Sequence, residues 1–322
     1  MCKRAAVSPY TDTDTGYGNM VYSNGIQQLC GRDSQRGTTI MRLPIISATA
    51  ILVVVQTAAI PATVAAPLFS EDFEEGQRTG NDYFAFTSAS NNVYVAEDPV
   101  TGATTIPYRG QYSLGFSHRA KSPGKDSTAE QDYRLGDRQN EIWFRYFFRV
   151  PDNFYHRQEE SSSNNKWLVA YTDEYERSGV TVALEYWPDG EGGSRIAYRW
   201  VRDGDRAPGH RGHTQFIRTP EDRGKWIEFV FYARLASASG RDDGVVQTWI
   251  RREGESEYTQ LHDRTNAPLY SSAQTGGFAE GYIMGWSNSG FSEETTFYID
   301  DFEFSSSSLL VEPKPPSDFV TD

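Results

Sequence analysis

The chain has 322 residues, of which 38% are hydrophobic and 14% aromatic, enough for a globular core in one or two domains. Its formal charge of −13 excludes the dominant basic surface that nucleic-acid binding requires. Both cysteines, Cys2 and Cys30, precede Met41, so the rest of the chain has no thiol for a disulfide, a Cys-ligated zinc or a Cys nucleophile.

Residues 1–40 are rich in Ser, Thr, Gly and Asp, offer no core and read as an upstream extension, disordered or not translated. Met41 and Arg42 open LPIISATAILVVVQTAAIPATVAA, an uncharged, largely apolar run ending in small residues, the pattern of a secretory signal peptide over 41–65 cut after Ala65. The alternative is an uncleaved anchor, which Thr49, Gln56, Pro61 and Thr63 disfavour. Removing residues 1–65 takes away five of the 31 Lys and Arg and three of the 44 Asp and Glu, leaving a formal charge of −15. A secreted monomer without stable membrane association is expected.

Beyond the signal, short aromatic and β-branched runs recur between Gly, Asn, Asp and Pro clusters, with no long amphipathic helical period. About fifteen strands are predicted, starting with 68–74 and ending with 296–304, in one all-β domain over 66–305. The Ser- and Pro-rich residues 306–322 read as a disordered tail.

The strand at 141–150, EIWFRYFFRV, splits at the two-residue period into Ile142, Phe144, Tyr146, Phe148 and Val150 on one face and Glu141, Trp143, Arg145, Phe147 and Arg149 on the other. The first face is a core. Aromatics alternating with arginines on the second suit a ligand with apolar ring faces and negative charge, as acidic sugars have; the competing reading is a second buried face with the arginines paired to carboxylates. Further runs repeat the pattern. KWIEFVFYARL sends Trp226, Glu228 and Arg234 outward, VTVALEYW sends Glu185 and Trp187 outward, and VVQTWIRR puts Gln247, Trp249 and Arg251 on one face. Together they predict one decorated sheet.

The segments LFSEDFEEG, RGQYSLGFS, GKWIEFVFYARLASASGRDDGVVQTWIRREGE and YIMGWSNSGFSEETTFYIDDFEF resemble the opening, early, paired and closing strands of the concanavalin A-like lectin/glucanase jelly roll. Within it they are similar to the lyase-like branch that includes heparin-lyase-I-like, glucuronan-lyase-like and alginate-lyase-like proteins. The resemblance covers roughly residues 68–305. It implies a two-sheet antiparallel β-sandwich and a secreted polysaccharide lyase that cleaves a uronate-containing polysaccharide by β-elimination. A non-catalytic lectin-like module and a glycoside hydrolase are the alternatives on the same fold. The chain lacks the Gln-Ile-His strand of alginate lyases, and YIMGWSNSG lacks the Lys and second Tyr of the corresponding lyase strand.

Elimination requires groups that neutralise the sugar carboxylate, a base for the neighbouring C–H and an acid for the leaving oxygen. The candidate catalytic set is His213, Tyr198, Arg145 and Asn165, with His213 favoured because Gly209 and Gly212 let its loop fold over a groove. Trp143, Arg149, Lys166, Arg199, His210, Trp249, Tyr282 and Trp286 are the candidate substrate contacts. For hydrolysis the nearest carboxylates are Glu130 with Asp132 and the run Asp173-Glu174-Tyr175-Glu176, all expected to be solvated surface groups. No organic cofactor is expected. Glu74 in the opening strand and Asp300 with Asp301 in the closing one are expected to converge on a structural Ca²⁺.

Overall fold

A computed structural model describes residues 66–97, 108–158, 164–206, 211–272, 276–289 and 291–310. The expected extension, the signal segment, His210 and residues 311–322 lie outside them. In chain order the first strands are β1 (Phe69–Glu71), β2 (Phe84–Ala89), β3 (Val93–Glu97), β4 (Tyr112–His118), β5 (Ser127–Gln139) and β6 (Glu141–Arg149). Next come β7 (Asn165–Tyr171), β8 (Val180–Pro188), β9 (Ser194–Arg202), β10 (Asp205–Arg206) and β11 (Arg211–Ile217). The last are β12 (Trp226–Arg234), β13 (Gly244–Arg252), β14 (Thr259–Ala267), β15 (Phe278–Ser287) and β16 (Thr295–Ser305).

These strands form two antiparallel sheets, a jelly-roll sandwich. The first runs β14-β13-β12-β6-β16-β4-β3 with β1 also on β16, and the second runs β10-β9-β8-β7-β15-β5-β2 with β11 also on β9. The pairing of Phe69 with Phe304 joins the start of the domain to its end. Inward side chains of both sheets make one core: Phe144, Tyr146 and Phe148 of β6 and Phe229 of β12 meet Trp167 of β7 and Phe216 of β11. Phe148 and Trp167 pack edge to face at 4.7 Å, and Trp167 and Phe216 at 4.9 Å. Burying such large rings is the main favourable term in folding a domain of this kind.

Two irregularities on neighbouring strands decide which side chains leave the core. In β7 the register against β8 shifts between Lys166 and Leu168, so Trp167 and Leu168 both enter the core while Lys166 and Val169 both face out. In β15 the register against β7 breaks after Ile283, where Met284 takes φ 58° and Gly285 φ 125°; Ile283 and Met284 both enter the core, and Tyr282 and Trp286 lie outside. Between the two strands Gly281 is obligatory, since a Cβ there would sit 1.9 Å from the Val169 carbonyl oxygen and 2.4 Å from the Tyr133 hydroxyl.

On the outward face of β6 the arginines pair with carboxylates, as in the competing reading, and Arg145 and Phe147 also line a polar cavity of about 490 Å³ with Tyr108, Glu228 and Arg251. Arg145 pairs with Glu303 at 2.7 Å and with the buried Glu228 at 3.8 Å, and Glu228 also takes Arg251 at 2.6 Å and the Tyr258 hydroxyl at 2.7 Å. Arg149 pairs with Asp152 at 3.1 Å. Trp143 stacks on Tyr232 at 4.2 Å and lies parallel to Trp249 at 5.8 Å, so these rings face one another. Leu309 and Leu310 cover them, and Ser306–Leu310 thus closes over the first sheet instead of leaving the surface as a tail. The cause is topological: β6 lies beside β12, and β12 beside β13, so their outward arginines, carboxylates and aromatics come within reach of one another.

Candidate functional site

On the outer face of the second sheet, Lys166 of β7, Glu185 of β8 and Arg199 of β9 meet side by side, because β7, β8 and β9 are consecutive and the β7 bulge turns Lys166 outward. Lys166 and the Arg199 Nε, the latter at 2.8 Å, both contact Glu185 Oε1, and the Asn164 amide donates to Glu185 Oε2. Glu185 is 1% exposed. Arg199 Nη2 donates to Glu176 and, at 3.3 Å, to the Tyr175 hydroxyl; both partners stand in the turn between β7 and β8. Asn288, just past β15, donates to Asn164 Oδ1 at 2.5 Å. Arg199 Nη1 is buried and has no hydrogen-bond partner among the described residues.

Val169, Ala183 and Tyr282 make an apolar floor beside these charges, with Tyr171 and Tyr175 packed against it. The rings of Tyr175 and Tyr282 stand 5.6 Å apart. On β5, Glu130 and Asp132 face the same way, and a Cβ on Gly285 would lie 2.9 Å from Glu130 Oε2 and 3.0 Å from the Tyr282 ring. The residue at 285 must therefore be small for Glu130 to sit against Tyr282.

The environment sets distinct proton affinities. Burial is the leading influence on Lys166 and, with nearby Arg199, pulls its ammonium below the ordinary value against the opposing pull of Glu185. Arg199 is also opposed by burial, but Glu185 and Glu176 overcome it and hold the guanidinium charged. Burial pushes the Tyr175 phenol up to about 12 and raises Tyr282 further. Burial and then Asp132 bring the Glu130 carboxyl up to about 7, unlike the solvated acid expected from its position in the sequence.

Of the predicted residues, Lys166, Arg199 and Tyr282 come together here, with Trp286 on the same face. His213 stands at the rim on β11, exposed, its ring 6.1 Å from Trp187. Tyr198 does not join them: next to the outward Arg199 it points into the sandwich, edge-on to His262 at 5.0 Å. Asn165 also points inward, because the β7 bulge follows it, and it accepts from the buried Ser287. Arg145, Arg149, Trp143 and Trp249 lie on the other sheet. Asn164, Tyr175, Glu176 and Glu185 complete the site. Glu185 is not among the predicted site residues; the signal that could have found it is a glutamate in the apolar run VTVALEYW, since a buried carboxylate demands cationic partners.

The expected calcium ligands are otherwise engaged. Glu74 Oε1 accepts the backbone N–H groups of Gln111 and Tyr112 at 2.8 and 2.9 Å, Asp300 accepts those of Arg109 and Asp301, and Asp301 pairs with the Arg109 side chain at 3.1 Å. Among the described residues no group of three or more His, Cys, Asp or Glu side chains is arranged to hold a metal ion. The three acids as placed do not fit a shared Ca²⁺.

No family model and no curated protein matches the chain. Among solved structures, the alginate lyase Aly36B is 12% identical, with a TM-score of 0.48 over 77% of this chain and 100% of that one. Alginate lyase vAL-1 from Chlorella virus is 13% identical, with a TM-score of 0.43 over 74% of this chain and 99% of that one. The exoplasmic/lumenal domain of VIP36, in a Ca²⁺/Man3GlcNAc-bound form, is 13% identical, with a TM-score of 0.39 over 74% and 94%. Likeness of this size assigns neither a family nor an activity, and the chemistry rests on the residues of the site.

Proposed function

We propose that the outer face of the second sheet binds a uronate-containing polysaccharide and cleaves it by β-elimination. The observation that carries this reading is the buried Nη1 of Arg199, unpartnered among the described residues, beside Lys166 and Asn164, a cationic and amide donor set for one sugar carboxylate. With that carboxylate neutralised, the adjacent C–H becomes acidic enough to lose its proton. Lys166 stays the cation that Glu185 holds, and Glu130 on the same face, its carboxyl brought up to about 7 by burial and then Asp132, takes the proton as its carboxylate. A carbon–carbon double bond forms, the bond to the leaving oxygen breaks, and that oxygen takes a proton from the Tyr175 phenol, which its raised pKa keeps protonated. The apolar run after Met41 supports secretion, where such polymers are met.

A hydrolase is the second reading, supported by Glu130 and Asp132 at alternate positions of β5 with the Glu130 proton retained near neutrality. Incubation with alginate and polyglucuronate separates the two. Elimination raises ultraviolet absorbance with each new chain end, whereas hydrolysis generates reducing ends without absorbance. Reducing ends alone would reject the elimination reading.

A further inference from the structure

We infer that the Trp286 indole is a separate sugar subsite, on which a ring of the bound polysaccharide stacks away from the reacting bond. This rests on the reading of the outer face of the second sheet as a polysaccharide site. Trp286 is 49% exposed, and the other six tryptophans are buried or half-buried. Leaving so large an apolar ring in water forgoes the stabilisation its burial would bring.

The ring is also held. Its Nε1 donates to Asp126 Oδ2 at 3.0 Å, and Asp126 Oδ1 accepts the Ser289 backbone N–H at 3.1 Å, so one carboxylate fastens the indole to the end of its own strand. The polar edge is satisfied by protein and the apolar face is left for a ligand, the division expected of an aromatic that recognises the C–H face of a sugar. A preorganised ring loses little side-chain entropy on binding.

Its position continues the site. Trp286 lies on the same face as Tyr282, on β15, which is three strands from Arg199 of β9, or about 14 Å at the spacing of neighbouring strands. Next to the ring, Ser287 pairs with Asn165 of β7, and Asn288 just beyond is joined to Asn164, which donates to Glu185. One chain lying over Lys166 and Arg199 therefore reaches Trp286 with a sugar that is not the reacting one, which makes the site one for polymers.

The test compares the parent with Trp286→Ala and Trp286→Phe, by retardation in native gels containing alginate or polyglucuronate and by initial rates on the same polymers. The expected result is about a tenfold loss of affinity and a matching rise in KM for Trp286→Ala. kcat should stay within about twofold, and Trp286→Phe should retain most of the affinity. The melting temperature of Trp286→Ala should match the parent, because the ring is not part of the core. Retardation of Trp286→Ala equal to the parent, or a fall in kcat at constant KM, overturns the subsite. Retardation without any absorbance rise rejects elimination and leaves the subsite standing, while a parent that neither polymer retards overturns both.

Discussion

Glu185 divides its carboxylate between two cations and an amide: Oε1 takes both Lys166 and the Arg199 Nε, and Oε2 takes the Asn164 side chain. A buried anion shared in this way holds two positive groups close together that would otherwise repel, and a substrate carboxylate can enter the same cluster.

Removing that anion should be costly. Glu185→Gln leaves two cations facing a neutral amide in a site that is largely out of water, and should lower the unfolding free energy by about 3–5 kcal/mol in urea titrations. Lys166→Met should cost less, since Arg199 still satisfies Glu185. Equal, small effects from the two substitutions would mean that solvent reaches the cluster and screens it.

Stability should depend on pH through four buried groups acting in opposite directions. Burial raises the Glu130 and Asp300 carboxyls to about 7 in the folded protein, so their protonation favours the native state; that contribution is full below the ordinary carboxylate range and is lost as pH rises through 7. Burial lowers His118 and His262 to about 4, so the unfolded chain takes up protons first and stability falls as pH drops from about 6.5 to 4. The melting temperature should therefore vary little between about pH 4.5 and 6.5 and decline toward pH 8. Asp300→Asn should remove part of the decline above pH 6.5. A melting temperature that rises from pH 6 to 8 would show that these carboxyls are not held protonated.

The aromatic stack on the first sheet should behave as core. Leu309→Ala, at a side chain 2% exposed over Trp143, should cost about 2–4 kcal/mol and shift tryptophan emission to the red. Polysaccharide retardation should not change. If the substitution were neutral in stability and strengthened retardation, the stack would be a sugar platform that the segment covers.

Gly281→Ala should be among the most damaging single-methyl changes, with a loss of about 1–3 kcal/mol or more in chemical denaturation, because the added carbon meets the Val169 carbonyl. Gly190→Ala places its methyl group in open space, although at φ 98°, and provides the backbone-strain comparison. A negligible loss from Gly281→Ala would show that β7 and β15 part to admit the methyl group.

The two-sheet fold was legible because period-two alternation survives in almost every strand; in β6 it separated Phe144, Tyr146 and Phe148 from Trp143, Arg145 and Phe147 correctly. Alternation tells faces apart but not which sheet a strand joins. Arg145 and Arg199 look alike in sequence, each outward on an aromatic strand, yet β6 lies beside β12 and β16 while β9 lies beside β8. Only sheet order could show that Arg145 meets Glu228 and Glu303 on the first sheet whereas Arg199 meets Glu185 and Glu176 beside Lys166 on the second. Asn165 was misplaced for a local reason: the bulge after Lys166 inverts the alternation, and a one-residue shift moves every side chain to the other face.

The most direct measurement is the initial rate of ultraviolet absorbance increase on alginate and polyglucuronate for the parent, Arg199→Ala and Arg145→Ala. Loss of the neutralising guanidinium at Arg199 should reduce turnover by about 10²-fold or more. Arg145→Ala, on the opposite sheet, should keep the parent rate once folded protein is matched. Activity that survives Arg199→Ala and disappears with Arg145→Ala would place the site on the first sheet and contradict the account.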